Sequence, residues 1–122
     1  MYKSLIYQHG FNQPYQLQWG ISIPYRPKVD KVAVLPGGII VLCTNGLLDN
    51  MFAAEIEDII EKGTLEGVST EQLASSIATM AFFNSIEENV NNPFAEAARL
   101  AGQKHIGGKR DDITVIVGHV LA

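Results

Sequence analysis

The chain has 122 residues, of which 47% are hydrophobic and 18% are charged, and its formal net charge is −4. That composition is typical of a globular domain and excludes a disordered chain, while the modest negative charge argues against binding to nucleic acid or to an anionic membrane. No stretch reaches the roughly 18 apolar residues of a membrane span, and the single cysteine, Cys43, excludes an internal disulfide and favours a reducing compartment.

Weak strand and turn signals fill the first thirty residues. Apolar and polar side chains alternate over only a few positions before a turn-forming residue interrupts them. In chain order, the predictions are a strand within 1–10, a turn at 11–14, a short strand at 15–19 and a loop or edge segment at 21–30. Pro24 and Pro27 keep the last segment out of a central strand position, because proline cannot donate a ladder hydrogen bond.

Stronger strand signals begin at Lys31. Residues 31–35 predict a strand, and the Pro-Gly-Gly sequence at 36–38 predicts a turn. The run Ile39–Cys43 is continuously apolar and rich in β-branched residues, which indicates a strand buried on both faces. Cys43 is therefore interpreted as a small core residue and not as a nucleophile. Residues 44–50 are interpreted as a polar break.

Two helices are predicted after that break. The first spans about 51–62, because its apolar positions fall on one stripe, and Gly63 is its expected stop. The second is marked at its start by a capping box, in which Ser69 and Gln72 satisfy each other's backbone N–H groups. Its helical spacing of apolar residues continues to about Glu88.

A short helix and a last strand complete the prediction. Asn92 is the expected cap of the helix, Pro93 suits its first position, and Gly102 ends it. Residues 103–110 form a basic, glycine-containing loop, and the apolar run at 113–120 predicts a central strand. Helices inserted between strands without regular alternation indicate an α+β fold with a mostly antiparallel sheet.

Polar residues that suit a cation site lie beside the two strongest strands. Asn45, Asp49 and Asn50 follow one strand, and Asp111 and Asp112 precede the other. If these strands are neighbours in a sheet, Asn45 and Asp111 lie side by side, and their oxygens suit Mg²⁺ or Mn²⁺. Spacing alone favours the alternative of two solvated turns, since Asn-Gly and Asp-Asp are common turn sequences.

Two motifs resemble those of the protein phosphatase 2C family, the metal-dependent serine/threonine phosphatases. Residues 44–50, TNGLLDN, resemble the motif in which an apolar strand ends in an Asp-Gly pair with another Asp shortly after it. Residues 107–117, GGKRDDITVIV, resemble the last motif of the family. Segments 11–17 and 92–95 resemble one branch, the organellar phosphatases related to the T-cell-activation phosphatase. The resemblance covers nearly the whole chain and identifies residues 1–122 as the C-terminal half of a single phosphatase 2C domain.

The resemblance implies a fold, a cofactor and a set of site residues. The fold is a sandwich of two antiparallel sheets flanked by helices, in α-β-β-α layers. A two-metal centre of Mn²⁺ or Mg²⁺ lies at one end of it, where a metal-activated water attacks the phosphorus of phosphoserine or phosphothreonine. Asp111 matches the last metal-ligating Asp, and Asn45 occupies the position of the Asp in the Asp-Gly pair. Gly46, Asp49 and Asp112 match supporting positions, and no residue of this chain is assigned a catalytic role.

The sequence departs from the family at two points. Asn45 brings an amide oxygen without a charge, so we expect a weak or silent metal site. The Asp-Gly-x-Gly-Gly motif of the family's N-terminal half is absent from the sequence, so we expect a truncated chain that lacks the residues for full catalysis. The leading interpretation is a phosphatase 2C relative. The alternatives are a non-catalytic pseudophosphatase or binding module that keeps the fold, and an α+β interaction domain whose resemblance is accidental.

The resemblance also implies partners and a compartment. The expected partner is a phosphoprotein substrate, with neither nucleic acid nor a membrane, and open sheet edges predict self-association. The branch resemblance predicts a mitochondrial or other organellar location, and residues 1–10 carry no presequence pattern. Lys109 and Arg110 are interpreted as a solvated basic loop.

Overall fold

The computed structural model describes residues 2–4, 8–14 and 29–122. Contacts between residues divide the chain into two compact units, Met1–Val34 and Leu35–Ala122. The assignment of the whole chain to one phosphatase domain stays a prediction.

The first unit contains a short hairpin. Strand β1, Gln8–Gly10, pairs antiparallel with strand β2, Gln13–Pro14. Asn12 lies between them with a φ of 56°, a left-handed conformation that asparagine adopts more readily than most residues. The hairpin is thus tighter than the turn predicted over 11–14. The strand predicted at 15–19 lies outside the described residues.

The second unit holds one antiparallel strand pair and four helices among the described residues. In chain order these are β3 Ile39–Cys43, α1 Asn45–Asn50, α2 Ala53–Glu66, α3 Thr70–Ile86, α4 Pro93–Leu100 and β4 Val115–His119. Strands β3 and β4 pair with Cys43 opposite Val115 and Ile39 opposite His119. The predicted α+β class with antiparallel strands is confirmed. None of these helices, within the part of the chain that the structure describes, is long and apolar enough to cross a membrane.

The strand pair buries only one of its faces among the described elements. The cross-strand pair Val41 and Val117 packs against the core, whose buried members are Leu47, Met51, Ile56, Ile77 and Ala81. The next pair, Leu42 and Ile116, points the other way and is 61% and 59% exposed. The prediction that Ile39–Cys43 is buried on both faces is therefore wrong, and Cys43 is exposed as well. The helices that follow β3 cover one side of it, and no described element covers the other.

Cap chemistry sets the start of two helices as predicted. The Ser69 hydroxyl accepts a hydrogen bond from the Gln72 N–H at 3.1 Å, and the Gln72 side chain accepts one from the Ser69 N–H at 2.9 Å. At the start of α4, the Asn92 side chain accepts from the Ala95 N–H at 2.8 Å, with Pro93 at the first helical position. Short-range chemistry was enough to predict both starts.

Three local predictions are wrong. Residues 31–35 form no strand. The segment 44–50 is not a polar break, because α1 forms there around a buried leucine. Helix α2 does not stop at Gly63 but continues to a left-handed cap at Gly67, with φ 72°. A Cβ at Gly63 would lie 2.8 Å from Cγ2 of Val68, so this glycine serves close packing and not termination.

Candidate functional site

Thr44 ties the end of β3 to the start of β4. Its N–H donates to the Thr114 carbonyl at 3.1 Å, and its hydroxyl accepts from the Thr114 N–H at 2.9 Å. The same hydroxyl donates to the Asp112 carbonyl at 2.8 Å. These bonds fix the residue before Asn45 to the segment that holds Asp111.

Gly46 brings helix α1 against the same segment. A Cβ at this position would collide with the carbonyl oxygen of Asp112 and would lie 3.1 Å from its carbonyl carbon. Only glycine allows the two backbones to approach so closely. Asn45 therefore lies between two residues, Thr44 and Gly46, that both touch the Asp112 carbonyl. The structure places Asn45 and Asp111 at the same end of the strand pair, and both are exposed.

Lys109 connects two of the predicted site residues. Its ammonium lies 2.8 Å from Oδ2 of Asp49 and 3.3 Å from Oδ2 of Asp111. It also lies 4.9 Å from the centroid of the Phe94 ring, within the range of a cation–π contact. The Lys109 side chain is only 17% exposed, so these charges interact with less screening than at an open surface.

The charge state of Lys109 follows from two opposed effects. Burial alone lowers the pKa of its ammonium, because a charged group loses hydration. Hydrogen bonds and charges from Asp49 and then Asp111 outweigh that loss, so the pKa lies above the ordinary 10.5. Lys109 is therefore a cation at neutral pH.

Asn50 is a buried clamp between α1 and the loop that holds Lys109. Its side chain is 0% exposed. Its Nδ2 donates to the carbonyls of Gly46 and Lys109, both at 2.8 Å, and its Oδ1 accepts from the Lys109 N–H at 2.9 Å. The Asn84 side chain donates to the Asn50 carbonyl at 2.9 Å, which adds helix α3 to the network. The Asn50 side chain therefore fixes the position of the Lys109 backbone relative to helix α1.

An open depression of about 460 Å³ borders the Asp111 end of the strand pair. Its lining combines small, aromatic and acidic residues: Ala78, Thr79, Phe82, Phe83, Asp111, Asp112 and Ile113. Phe82 and Phe83 are 53% and 60% exposed, and their ring centroids lie 5.7 Å apart in an edge-to-face arrangement. Two exposed aromatic side chains therefore lie beside the predicted ligand Asp111.

The oxygen donors fit a hard divalent cation in kind but not in number. The Asp111 carboxylate and the Asn45 amide oxygen are ligand types that Mg²⁺ and Mn²⁺ prefer. In the described part of the chain, no three His, Cys, Asp or Glu side chains form a group that could hold a metal ion. Two donors leave most of an octahedral shell, about four positions, to water or to other groups. The assignment of Asp111 and Asn45 as ligands stays a prediction.

The supporting residues take up different positions around this pair. Asp112 contributes its backbone: its carbonyl accepts from Thr44, and its N–H donates to Oδ1 of Asp111 at 2.8 Å. Gly46 provides the close approach, and Asp49 contacts Lys109, which in turn contacts Asp111. Their supporting roles in the predicted metal site stay predictions.

Sequence reasoning missed Asn50 and Lys109. The sequence places Asn50 only among the polar residues beside a strand that suit a cation site, and in the structure it is the buried clamp. Lys109 was expected to be solvated, and instead it is enclosed and paired with Asp49, which lies 60 positions earlier. A lysine in a glycine-containing loop gives no local signal for a partner so distant in sequence.

Several named phosphatases are similar to this chain, although no family model matches it. It is 38% identical over 124 residues to "Probable protein phosphatase 2C 55" of Arabidopsis thaliana, which aligns with all of this chain and 27% of that protein. It is 36% identical over 124 residues to "Probable protein phosphatase 2C 80" of the same plant, with all of this chain and 30% of that protein covered.

A solved structure is similar to nearly the whole chain. The X-ray structure of the photosystem II phosphatase PBCP superposes with a TM-score of 0.85 and 30% sequence identity. The match covers 98% of this chain and 51% of that one. The chain thus spans about half of the solved structure and about 27–30% of the two curated relatives.

Proposed function

Because this chain belongs to the protein phosphatase 2C family, we propose that it is part of a metal-dependent enzyme that hydrolyses phosphoserine and phosphothreonine in proteins. The observation that carries the proposal is the junction of β3 and β4. There, the bonds of Thr44 and the close approach of Gly46 hold the Asn45 and Asp111 segments together. Two oxygen donors on one rigid edge are a suitable mount for a cation.

Asp111 is the principal metal ligand in this proposal, and Asn45 is the weaker one. Asp111 brings a full negative charge, whereas the amide of Asn45 brings only a dipole. Mn²⁺ or Mg²⁺, when bound in the two-metal centre of the family, supplies an activated water and neutralises charge on the phosphoryl group. Gly46, Asp49 and Asp112 support the site.

The remaining residues of the site orient the Asp111 carboxylate or contact the substrate. The Asp112 N–H fixes Oδ1 of Asp111, which sets the direction of the carboxylate. The substrate class is a phosphoprotein, and the depression beside Asp111 supplies apolar contacts from Phe82 and Phe83 for residues near the phosphorylated one. These contacts would favour extended segments with apolar side chains.

A non-catalytic binding module is not favoured, since the similar proteins carry phosphatase names. Self-association through the open edges of the strand pair is a further proposal, to which the exposed side chains of Leu42 and Ile116 on the same strands would add apolar contact. Sedimentation of the chain over a range of concentrations tests it, and a constant monomer mass would contradict it.

An organellar location is likewise proposed from the branch resemblance, and imaging of the tagged protein in cells tests it.

A chimera tests the proposed activity. This chain replaces the matching segment of a related phosphatase 2C, and Mn²⁺-dependent hydrolysis of a phosphothreonine peptide is measured. We expect activity below that of the parent, since Asn45 weakens the site, and a further loss of at least about tenfold with Asp111→Asn. Asp58→Asn on α2 removes an exposed carboxylate elsewhere and serves as the control. Equal activity of the chimera with and without Asp111→Asn would contradict the proposal.

A further inference from the structure

Lys109 places its positive charge next to the Asp111 carboxylate, which is a metal ligand in the proposed function. Its ammonium lies 3.3 Å from Oδ2 of Asp111 but closer, 2.8 Å, to Oδ2 of Asp49. We propose that the Lys109 ammonium competes with a divalent cation for the Asp111 carboxylate, and that the shorter ion pair with Asp49 draws the ammonium away from Asp111. The pair would thereby set the affinity of this end of the strand pair for a divalent cation. The inference rests on the proposed function, since it concerns the same site.

Both carboxylate oxygens of Asp111 already have a partner. Oδ1 accepts from the N–H of Asp112 at 2.8 Å, and Oδ2 faces Lys109. A divalent cation at Asp111 must therefore share Oδ1 with the Asp112 N–H or Oδ2 with the ammonium, and in either case it lies close enough to the ammonium to be repelled by it. Like charges a few ångströms apart in a partly shielded site repel strongly enough to change affinity by roughly tenfold.

The backbone of Lys109 is held in place, and its side chain is mostly shielded from water. Its backbone N–H and carbonyl are both bonded to the buried side chain of Asn50, and its ammonium lies against the Phe94 ring. With its backbone held and its side chain only 17% exposed, the ammonium has Asp49 and Asp111 as its nearest carboxylates, at 2.8 and 3.3 Å. A shift toward Asp49 frees Asp111 for a metal, and a shift toward Asp111 blocks it.

Asp49 is well placed to respond to the metal site. It lies four residues after Asn45 on helix α1, so both side chains lie on the same face of that helix. The predicted ligand and the carboxylate that restrains Lys109 are therefore carried by one short rigid element. A salt bridge that served only to stabilise the fold would need no such link to the metal ligand.

Mn²⁺ affinity of the purified chain, measured by water-proton relaxation, tests the inference. Lys109→Met keeps an apolar chain over Phe94 but removes the charge, so we expect Mn²⁺ to bind about three- to tenfold more tightly. Asp49→Asn releases the ammonium toward Asp111, so we expect binding to weaken by a similar factor. Lys109→Arg keeps the charge and should bind within about twofold of the native chain.

The exposed pair Lys62 and Asp58 on α2 provides matched controls. These side chains lie 2.9 Å apart and are 71% and 57% exposed. Lys62→Met and Asp58→Asn make the same changes in net charge and should leave Mn²⁺ affinity unchanged, because solvent screens distant charges. Shifts in these controls equal to those of the Lys109 and Asp49 variants would overturn the inference, since net charge alone would explain them.

The outcomes separate this inference from the proposed function. If the native chain binds Mn²⁺ and both Lys109→Met and Asp49→Asn bind it with the same affinity, the role of Lys109 is overturned. The proposed metal site would still stand. Absence of binding in the native chain and in every variant contradicts the metal site and the inference together. The two variants have opposite expected signs, so either one tests the inference if the other fails to fold.

Discussion

The buried side-chain amide of Asn50 hydrogen-bonds both the carbonyl and the N–H of Lys109, which lies 59 positions later in the chain. One side chain thus satisfies both backbone groups of a residue in a distant loop. Because Asn50 is 0% exposed and its bonds to Lys109 are part-buried, removal of the side chain would leave these backbone groups with few alternative partners. The position of Lys109, and through it the environment of Asp111, depends on this contact.

Replacement of Asn50 by alanine should therefore cost stability. Asn50→Ala leaves the N–H and the carbonyl of Lys109 without their side-chain partner, at about 1–3 kcal/mol for each buried group. We expect the free energy of unfolding in urea to fall by about 2–4 kcal/mol. Asn91→Ala removes an exposed amide that bonds Glu96 at 3.1 Å, and should cost less than about 0.5 kcal/mol. Equal costs for the two variants would refute the role of Asn50 as a clamp.

A methyl group at position 46 should disrupt the junction of the two segments. Gly46→Ala places a Cβ against the backbone carbonyl of Asp112, and a backbone group cannot rotate away as a side chain can. We expect a loss of about 1–3 kcal/mol in the free energy of unfolding. Gly118→Ala on β4 is the matched control, since a Cβ there meets no atom within 4 Å. If Gly46→Ala were no more harmful than Gly118→Ala, the close approach would not constrain the fold.

Lys109 should make stability depend on alkaline pH. Its pKa is raised in the folded chain above the ordinary 10.5, so the folded state binds the proton more tightly than the unfolded state. Its stabilisation is fully present below the ordinary pKa and is lost as the pH rises through the raised value. Urea unfolding of the native chain and of Lys109→Met between pH 8 and 11.5 tests this expectation. Their difference in stability should shrink above about pH 10.5, because other titrating groups cancel in the comparison. A difference that stays constant over this range would contradict it.

Restoration of a carboxylate at position 45 should strengthen the proposed metal site. Asn45→Asp adds an anionic ligand beside Asp111, and affinity for a divalent cation rises with the charge of its ligands. We expect Mn²⁺ to bind at least about tenfold more tightly, as measured by water-proton relaxation. Asn91→Asp makes the same change in charge before α4 and should have no effect. Unchanged affinity in Asn45→Asp would exclude this residue as a ligand.

Local chemistry explains which parts of the fold could be predicted from sequence. The caps at Ser69 and Asn92 depend on groups within three residues, so the sequence contains all the information that they need. Helix α1 was missed because Leu47, which is fully buried, secures it through tertiary packing despite its polar neighbours. The exposure of Leu42 depends on which elements cover the sheet, which an apolar run cannot indicate.

The candidate site likewise contains one relationship that the sequence could predict and one that it could not. Motif resemblance was sufficient to predict that Asn45 and Asp111 lie at one end of adjacent strands. The pairing of Lys109 with Asp49 could not be predicted, because it depends on the distance between helix α1 and the loop at Lys109. The buried side chain of Asn50 sets that distance.

The convergence of Asn45 and Asp111 on one divalent cation is tested most directly by adding substoichiometric Mn²⁺ to the ¹⁵N-labelled chain. The paramagnetic ion broadens the amide signals of residues close to it. The signals of residues 44–46 and 110–112 should broaden together. Gly38 and Val120 should stay sharp, since their mutual hydrogen bond marks the opposite end of the strand pair. That end is roughly 20 Å away at about 3.3 Å per strand residue. Broadening of only one of the two segments, of Gly38 and Val120 instead, or of none of these signals would contradict a shared metal site.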